Sequence, residues 1–351
     1  MYVDEQLITY LGNKRRLLPL IIQAANPKGK SCLDLFSGSG VVSRAFKENE
    51  CKEIIANDLE LYSQIINKCY LTNQEDFPEE EYNYYYNLII NSQLKEGFFC
   101  ELYAPKDSNN IQPGERCFYT RENALILDTY LDIIFNKCPI KLQHFFLAPL
   151  MSEASIHANT SGVFKGFYKN YSGIGQWGGQ GKNALERICG KITLKKPIFS
   201  SHSCKATILN IDATKNKELI NCDLAYLDPP YNQHPYGSNY FMLNLIATNN
   251  KPENISQVSG IPKNWNRSDF NKKAKALTAL ENSLKNINAK EYIISYNNEG
   301  FISYEEMISL LEQYGEVGII TEDYPTFRGC RNLNNRNIHV KEYLFKVRKD
   351  E

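Results

Sequence analysis

The sequence has no excess of charge of either sign: 40 Lys+Arg are balanced by 40 Asp+Glu over 351 residues. A chain basic throughout and held to a polyanion by bulk charge is therefore excluded, although a locally basic one is not. No two of its ten cysteines form a C-x-x-C pair, and its five histidines do not join them at zinc-finger spacing. Free thiols serving as small core residues in a reducing cytoplasm fit that pattern better than a metal finger. No apolar run approaches the roughly 20 residues that span a bilayer; residues 145–151 are among the longest. The opening MYVDEQLITYLGNKRR has no charged start leading into an apolar stretch, so no secretory signal is expected. There is no internal repeat and no low-complexity tract. With 42% hydrophobic and 23% charged residues, the composition is that of a folded globular chain, which excludes disorder and a fibre.

At about 150 residues per domain, the length allows two domains or one large domain with an insertion. SCLDLFSGSGVVSRAFKE (31–48) is a short apolar run, a Ser/Gly turn and a helix-like segment, hence strand, glycine loop and helix. EIIAND (53–58) reads as a second buried strand ending in Asp58, followed by a helical stretch over 59–73. This alternation predicts a parallel, doubly wound sheet. Five acids fall in 75–81, and helix-like stretches at 122–137 and 141–155 follow without a strand series. Strand patterns resume at 206–212, 223–228, 291–297, 316–321 and 341–347, with helical periodicity at 268–287 and 303–314. The expected map is one α/β domain made of 1–74 and 200–351, interrupted by a mainly helical insertion, 75–199.

Two loops carry chemistry. In DLFSGSG (34–40), Gly38 and Gly40 stand where the backbone turns sharply and comes close to a ligand, and a helix N-terminus follows. Asp34 precedes them, and Ser43 replaces the third glycine of a dinucleotide fingerprint. An acid there suits a ligand with a positive amino group, such as S-adenosyl-L-methionine (SAM), rather than phosphates. Asp58 ends the next strand 18 residues after Gly40, the place from which a carboxylate accepts hydrogen bonds from ribose hydroxyls. The plainer alternative is a βαβ unit whose glycines only permit tight packing.

The second loop is Asp228-Pro229-Pro230-Tyr231, directly after the strand DLAYL. Two prolines there hold a rigid, extended backbone that donates no hydrogen bond. The Pro229 carbonyl and the Asp228 carboxylate become fixed acceptors, and Tyr231 adds a flat face. Two acceptors beside an aromatic plate match the exocyclic NH2 of a planar base. Accepting both N–H groups draws that amine toward tetrahedral geometry and releases its lone pair to attack a methyl group in line. Orientation and charge carry such catalysis, with no covalent intermediate. A proline-stiffened turn is the structural alternative.

DLFSGSG followed by DPPY resembles the α-group (Dam-like) N6-adenine-specific DNA methyltransferases of restriction-modification type, in which the cofactor motif precedes the catalytic one. Further segments resemble that family: YLGNK (10–14), ILNID (208–212), VFKGFYKN (163–170), NQHPYGSNYFML (232–243), IISYNNEG (293–300) and YPTFRGCRN (324–332). The resemblance covers about half of the chain, and 75–140 has no counterpart in it. It implies an α/β fold, a Rossmann-like class I SAM-dependent methyltransferase sheet; the mainly helical insertion is a candidate DNA-binding or target-recognition region, and 75–200 and 245–275 both qualify as the segment that reads bases. It implies that Lys14 meets the cofactor carboxylate, although Asn13 stands where many members have a second Gly, and that Asp212 or its backbone meets the adenine. The cofactor set is then Tyr10, Lys14, Asp34, Phe36, Gly38, Gly40, Asp58, Leu59 and Asp212, with SAM as cofactor and no metal. Asp228, Pro229, Pro230 and Tyr231 form the catalytic set, acting on an adenine flipped out of duplex DNA. Tyr240 or Phe241 is expected as the opposite wall of its pocket. The family also implies a monomer in the cytoplasm and a cognate restriction endonuclease acting separately.

Neighbouring reactions separate by single residues. C5-cytosine methylation needs a nucleophilic cysteine, normally in Pro-Cys, and no Pro-Cys dipeptide occurs here. N4-cytosine enzymes more often carry Ser, and RNA and protein enzymes Asn, in place of Asp228. Adenine is therefore favoured, while N4-cytosine and RNA methylation stay open. A catalytically silent nucleic-acid-binding relative would have no need of Asp228 and both loop glycines.

Charge is distributed unevenly. Residues 159–197 hold seven Lys/Arg against Glu186, 324–349 seven against Glu342, and 260–290 seven against two acids. Such runs often form a solvated face, but phosphate contacts need local patches of this kind. Lys165, Lys169, Arg267, Arg328 and Arg331 are the candidate DNA contacts, with Gln257, Asn264 and Arg267 as candidates for base edges. Balanced totals with local runs imply a one-sided binding surface.

Overall fold

The computed structural model describes residues 2–182, 184–325 and 339–349. The chain forms two compact units, one of residues 13–59, 200–235 and 267–351, the other of residues 1–12, 60–199 and 236–266.

The first unit holds a seven-stranded sheet of β1 (Ser31–Asp34), β2 (Glu53–Asn57), β3 (Lys205–Leu209), β4 (Ile220–Leu227), β5 (Ile287–Asn297), β6 (Glu316–Pro325) and β7 (His339–Arg348). Their order is β3-β2-β1-β4-β5-β7-β6, a Rossmann-like arrangement. β1 to β5 pair in parallel, with Cys32↔Ile54, Leu33↔Ala225 and Ala225↔Tyr292 in register. The sheet is not parallel throughout, as the alternation had suggested. β7 is antiparallel to both neighbours, β5 (Ser295↔Leu344) and β6 (Ile320↔Leu344). The helix Tyr304–Leu311 carries the chain from β5 past one vacant place to β6. β7 then fills that place beside β6, and consecutive antiparallel strands need no crossover helix. The apolar runs of β1 and β4 reflect burial on both faces: Cys32, Leu33, Leu224, Ala225 and Leu227 are all fully enclosed.

The second unit is helical, with Leu61–Tyr70, Glu79–Ile90, Arg121–Asn136, Ile140–Ile156 and Phe241–Thr248 as its longer helices. The apolar run 145–151 lies inside Ile140–Ile156, where Phe145, Phe146, Leu150 and Met151 are core residues. Buried Asp128 accepts the N–H groups of Gly97, Phe99 and Cys100 at 2.8, 2.9 and 2.9 Å, completing the first turn of Phe98–Leu102. The sequence map drew its boundary at 74, but 60–74 and 236–266 group with the helices. Leu61–Tyr70 packs on Ile140–Ile156 and Phe241–Thr248, contacts between distant segments that no local pattern reveals. Among the described residues no helix is long and apolar enough to cross a membrane, every cysteine is free, and no cluster of three metal-ligating side chains occurs.

Candidate active site

β1 and β4 are neighbours, and the strand order reverses between them: β2 and β3 lie on one side, β5 to β7 on the other. Loops leaving the carboxyl ends of such a strand pair diverge and open a crevice, the usual ligand position in open α/β sheets. DLFSGSG leaves β1 there and DPPY leaves β4.

Asp34, the last residue of β1, is 1% exposed. Its Oδ2 accepts the Ser43 hydroxyl at 2.6 Å and the Ser43 N–H at 3.1 Å, while Oδ1 is buried without a hydrogen-bond partner. Burial pushes its pKa up, the Ser43 bonds oppose the rise, and the charges of Asp228 and Asp58 add to it, leaving it at about 7. Gly38 and Gly40 take φ of +50° and +73°, conformations that disfavour any side chain. The Gly38 N–H donates to Asp58 Oδ2 at 2.8 Å, so the acid directly after β2 braces the glycine loop. An open, buried carboxylate oxygen beside a backbone nest suits a cationic amino group, and these residues fit SAM.

Asn57 was not singled out by motif, yet it ties three strand ends together. Its Nδ2 donates to Leu35 O at 3.1 Å and Ile211 O at 3.2 Å, and its Oδ1 accepts the Ile211 N–H at 3.0 Å. Its only sequence signal is an amide at a strand end, next to Asp58. Asp212 differs from its expected setting. Its Oδ1 accepts the Thr214 N–H and hydroxyl at 3.0 and 2.7 Å, and its Oδ2 pairs with Lys215 at 2.8 Å. That carboxylate is engaged in its own turn. Phe36 stands edge-on to Phe270 with ring centroids 5.2 Å apart, and Leu59 is half-buried.

Asp228 lies 3.0 Å from Lys14 Nζ, with the side chains 21% and 6% exposed. Burial raises the Asp228 pKa, Lys14 pulls it back, and Glu342 adds to the rise, leaving it at about 6. For Lys14, burial favours the neutral amine, but the carboxylates of Asp228 and Glu342 outweigh it and hold the ammonium above its ordinary range. Lys14 thus stays charged in a dry setting. Pro229 is buried and Pro230 half-buried. The Tyr231 carbonyl accepts the Phe301 N–H at 3.0 Å, and its half-buried ring meets Tyr296 edge-on at 6.5 Å. Two strand residues complete the setting. Asn297 of β5 and Glu342 of β7 are in register and 5% and 7% exposed. Glu342 had been legible only as the single acid of a basic run.

Other expected residues fall elsewhere. Tyr10 and Tyr240 belong to the helical unit, where Tyr10 stacks on Tyr236 and Tyr240 at 5.0 and 4.9 Å. Tyr240, expected as a wall for a base, has no exposed surface, and its hydroxyl accepts the Leu11 N–H at 2.7 Å. Phe241 is likewise core, at 2%. Lys165, Lys169 and Arg267 are exposed, whereas Arg328 and Arg331 lie outside the described residues. The basic runs are less free than their counts suggest. Lys191 and Lys195 pair with Glu122 and Glu153, and Arg187 donates to the carbonyls of Ile156, Ala158 and Thr160. Lys272 and Lys275 share Asp269, and Lys290 pairs with Asp223.

The chain is 28% identical to the type II methyltransferase M.CviAII of Paramecium bursaria Chlorella virus 1, over 97% of this chain and 98% of that protein. It is 28% identical to M.NlaIII of Neisseria lactamica, covering 96% and 98%, and 28% identical to the modification methylase StsI of Streptococcus sanguinis, covering 97% of this chain and 52% of that protein. Residues 10–310 match a single family profile. That span includes Lys14, the glycine loop, the helical segments and DPPY, and the chain belongs to the D12 class N6 adenine-specific DNA methyltransferases, whose methyl donor is SAM.

Proposed function

We propose that this enzyme is the modification component of a type II restriction-modification system, methylating N6 of an adenine flipped out of duplex DNA. It works as a monomer in the cytoplasm beside a separate endonuclease. The observation that carries the catalytic reading is Asp228, a half-buried acceptor that directly follows β4 and pairs with Lys14, in the same compact unit as the open oxygen of Asp34. The type II names of M.CviAII and M.NlaIII support the biological setting.

When bound, SAM supplies a methyl group on a positively charged sulfur. Asp34 Oδ1 accepts its amino group, Gly38 and Gly40 keep the loop backbone clear for it, and Asp58 takes the ribose while bracing Gly38. Lys14, Phe36, Leu59 and the backbone around Asp212 complete the cofactor set. Asp228 and the Pro229 carbonyl accept the two N–H bonds of the adenine amine, Pro230 stiffens the loop, and Tyr231 stacks on the base. Desolvation strengthens each of these interactions. Lys165, Lys169 and Arg267 make phosphate contacts, with 75–199 as the recognition insertion.

Transfer of label from SAM to duplex DNA, followed by base analysis, tests the reading. N6-methyladenine at one short sequence, lost in Asp228→Ala, is expected. Label on cytosine or RNA, or equal transfer by the variant, overturns it.

A further inference from the structure

A short turn of the helical unit is fastened more firmly than an exposed loop requires. Residues 254–263 double back on themselves. Ile255 and Pro262 form an antiparallel bridge, flanked by the Lys263 N–H on Asn254 O at 2.9 Å and the Ser256 N–H on Ile261 O at 2.8 Å. Gln257 and Val258 stand exposed at the tip, Val258 at 62%. A lone exposed valine is ordinary, but the backbone beneath this one is clamped. Arg116 Nε donates to Val258 O at 3.2 Å, and Nη2 donates to Gln257 O at 2.9 Å and Ser256 O at 3.3 Å. Its Nη1 is anchored on Leu102 O at 3.1 Å, beside the buried Tyr103, whose hydroxyl donates to Gly260 O at 2.9 Å. Gly260 takes φ of +70°, and a Cβ there would fall 2.8 Å from the Tyr103 ring and 3.0 Å from Arg116 Nε, so the fastening needs glycine. Among the described residues no carboxylate pairs with Arg116, and the Gln257 side-chain amide has no hydrogen-bond partner.

Gathering three consecutive carbonyls onto one guanidinium fixes the backbone from which Gln257 and Val258 leave. A tip ordered in advance loses little chain entropy when it binds, which is what a recognition element needs. The form of the turn suits duplex DNA, because a major groove about 12 Å wide admits two paired strands. The side chains suit one base pair there. A glutamine amide accepts from adenine N6–H and donates to N7, and an apolar side chain covers the methyl group of the paired thymine. We propose that Gln257 and Val258 determine specificity by reading one A·T pair of the recognition sequence, a pair that stays intact while the target adenine flips out. Arg116 is the positioning residue that holds them. The inference rests on the reading of sequence-specific methylation of duplex DNA given above, and it adds a base reader outside 75–199.

The test takes the sequence that the wild-type enzyme methylates and a set of duplexes, each with one base pair of it replaced, and compares kcat/KM. In Gln257→Ala, discrimination at one A·T pair should fall roughly five- to hundredfold, as expected for losing a bidentate contact, and stay as in wild type at every other pair. Single-atom probes identify the contacts. Changing that adenine to 7-deazaadenine should slow the wild type and leave Gln257→Ala indifferent, and changing that thymine to uracil should slow the wild type and leave Val258→Ala indifferent. Arg116→Lys keeps the charge but cannot span three carbonyls. It should lose discrimination at the same pair, and adding Gln257→Ala to it should cost little more. The slope of log Kd for DNA against log salt should not change in Arg116→Lys or in Arg116→Gln, because this cation holds the turn and meets no phosphate. A slope reduced by about 0.9 in Arg116→Gln would make Arg116 a phosphate contact and overturn its positioning role. Unchanged discrimination in Gln257→Ala, loss at a G·C pair, or an equal loss at all pairs would overturn the assignment of the reader. A wild-type enzyme that methylates no particular sequence in duplex DNA would sink the functional reading instead.

Discussion

Replacing Asp34 by asparagine should make the ligand-free protein more stable while ruining cofactor binding. Asp34 is 1% exposed, one oxygen has no partner, and its pKa stands at about 7 against an ordinary 3.8. Between those values the folded protein holds a proton that the unfolded chain has released, so stability falls as pH rises from about 4 to about 7. A shift of about three pH units at about 1.4 kcal/mol each puts the cost near 4 kcal/mol above pH 7, an upper bound because a buried site can relax. The asparagine side chain carries no charge, can keep one oxygen on Ser43, and places an amide where the unmet oxygen was. Urea unfolding of both proteins across pH 4 to 8.5 isolates this group as a difference. The variant should equal wild type near pH 4 and exceed it by a few kcal/mol at pH 8. SAM should bind the variant about 10- to 100-fold more weakly, as expected for losing a charged hydrogen bond. A variant less stable than wild type at pH 8, or one that binds SAM normally, would refute the assignment of the open oxygen to a cation.

Asp228→Asn should lower methyl transfer on the order of 10²- to 10³-fold with SAM affinity kept within a few-fold, read by labelled transfer and calorimetry. Because Asp228 stands at about 6 and protonation removes its negative charge and turns one oxygen into a donor, leaving a weaker acceptor for the amine, kcat/KM should fall as pH drops below about 6; a flat profile down to pH 5 would contradict this. Lys165→Gln with Lys169→Gln should reduce the slope of log Kd for DNA against log salt by up to about 1.8. Lys191→Gln with Lys195→Gln should leave that slope alone, since those cations are paired with Glu122 and Glu153. Asp128→Ala strands three N–H donors and should cost on the order of 3 kcal/mol in urea unfolding; a loss below about 1 kcal/mol would show that water replaces the carboxylate.

The sequence by itself determined the parts of this protein whose chemistry is local. Strand, glycine loop, Asp34 and the proline-rigid DPPY each follow from neighbouring residues, because a turn or a capped strand end is set by the φ/ψ preferences of a few positions. The sheet strands were legible for the same reason, as short apolar runs between turns. Tertiary structure decided what depends on distant partners. It set β7 antiparallel between β5 and β6, moved 60–74 and 236–266 into the helical unit, and buried Tyr240. It engaged Asp212 with Thr214 and Lys215, and paired much of the apparent basic charge internally. It also brought Lys14 and Asp228, far apart in the sequence, to within 3.0 Å of each other. Electrostatics there depends on distance and desolvation, and neither quantity is written in the order of residues along a chain.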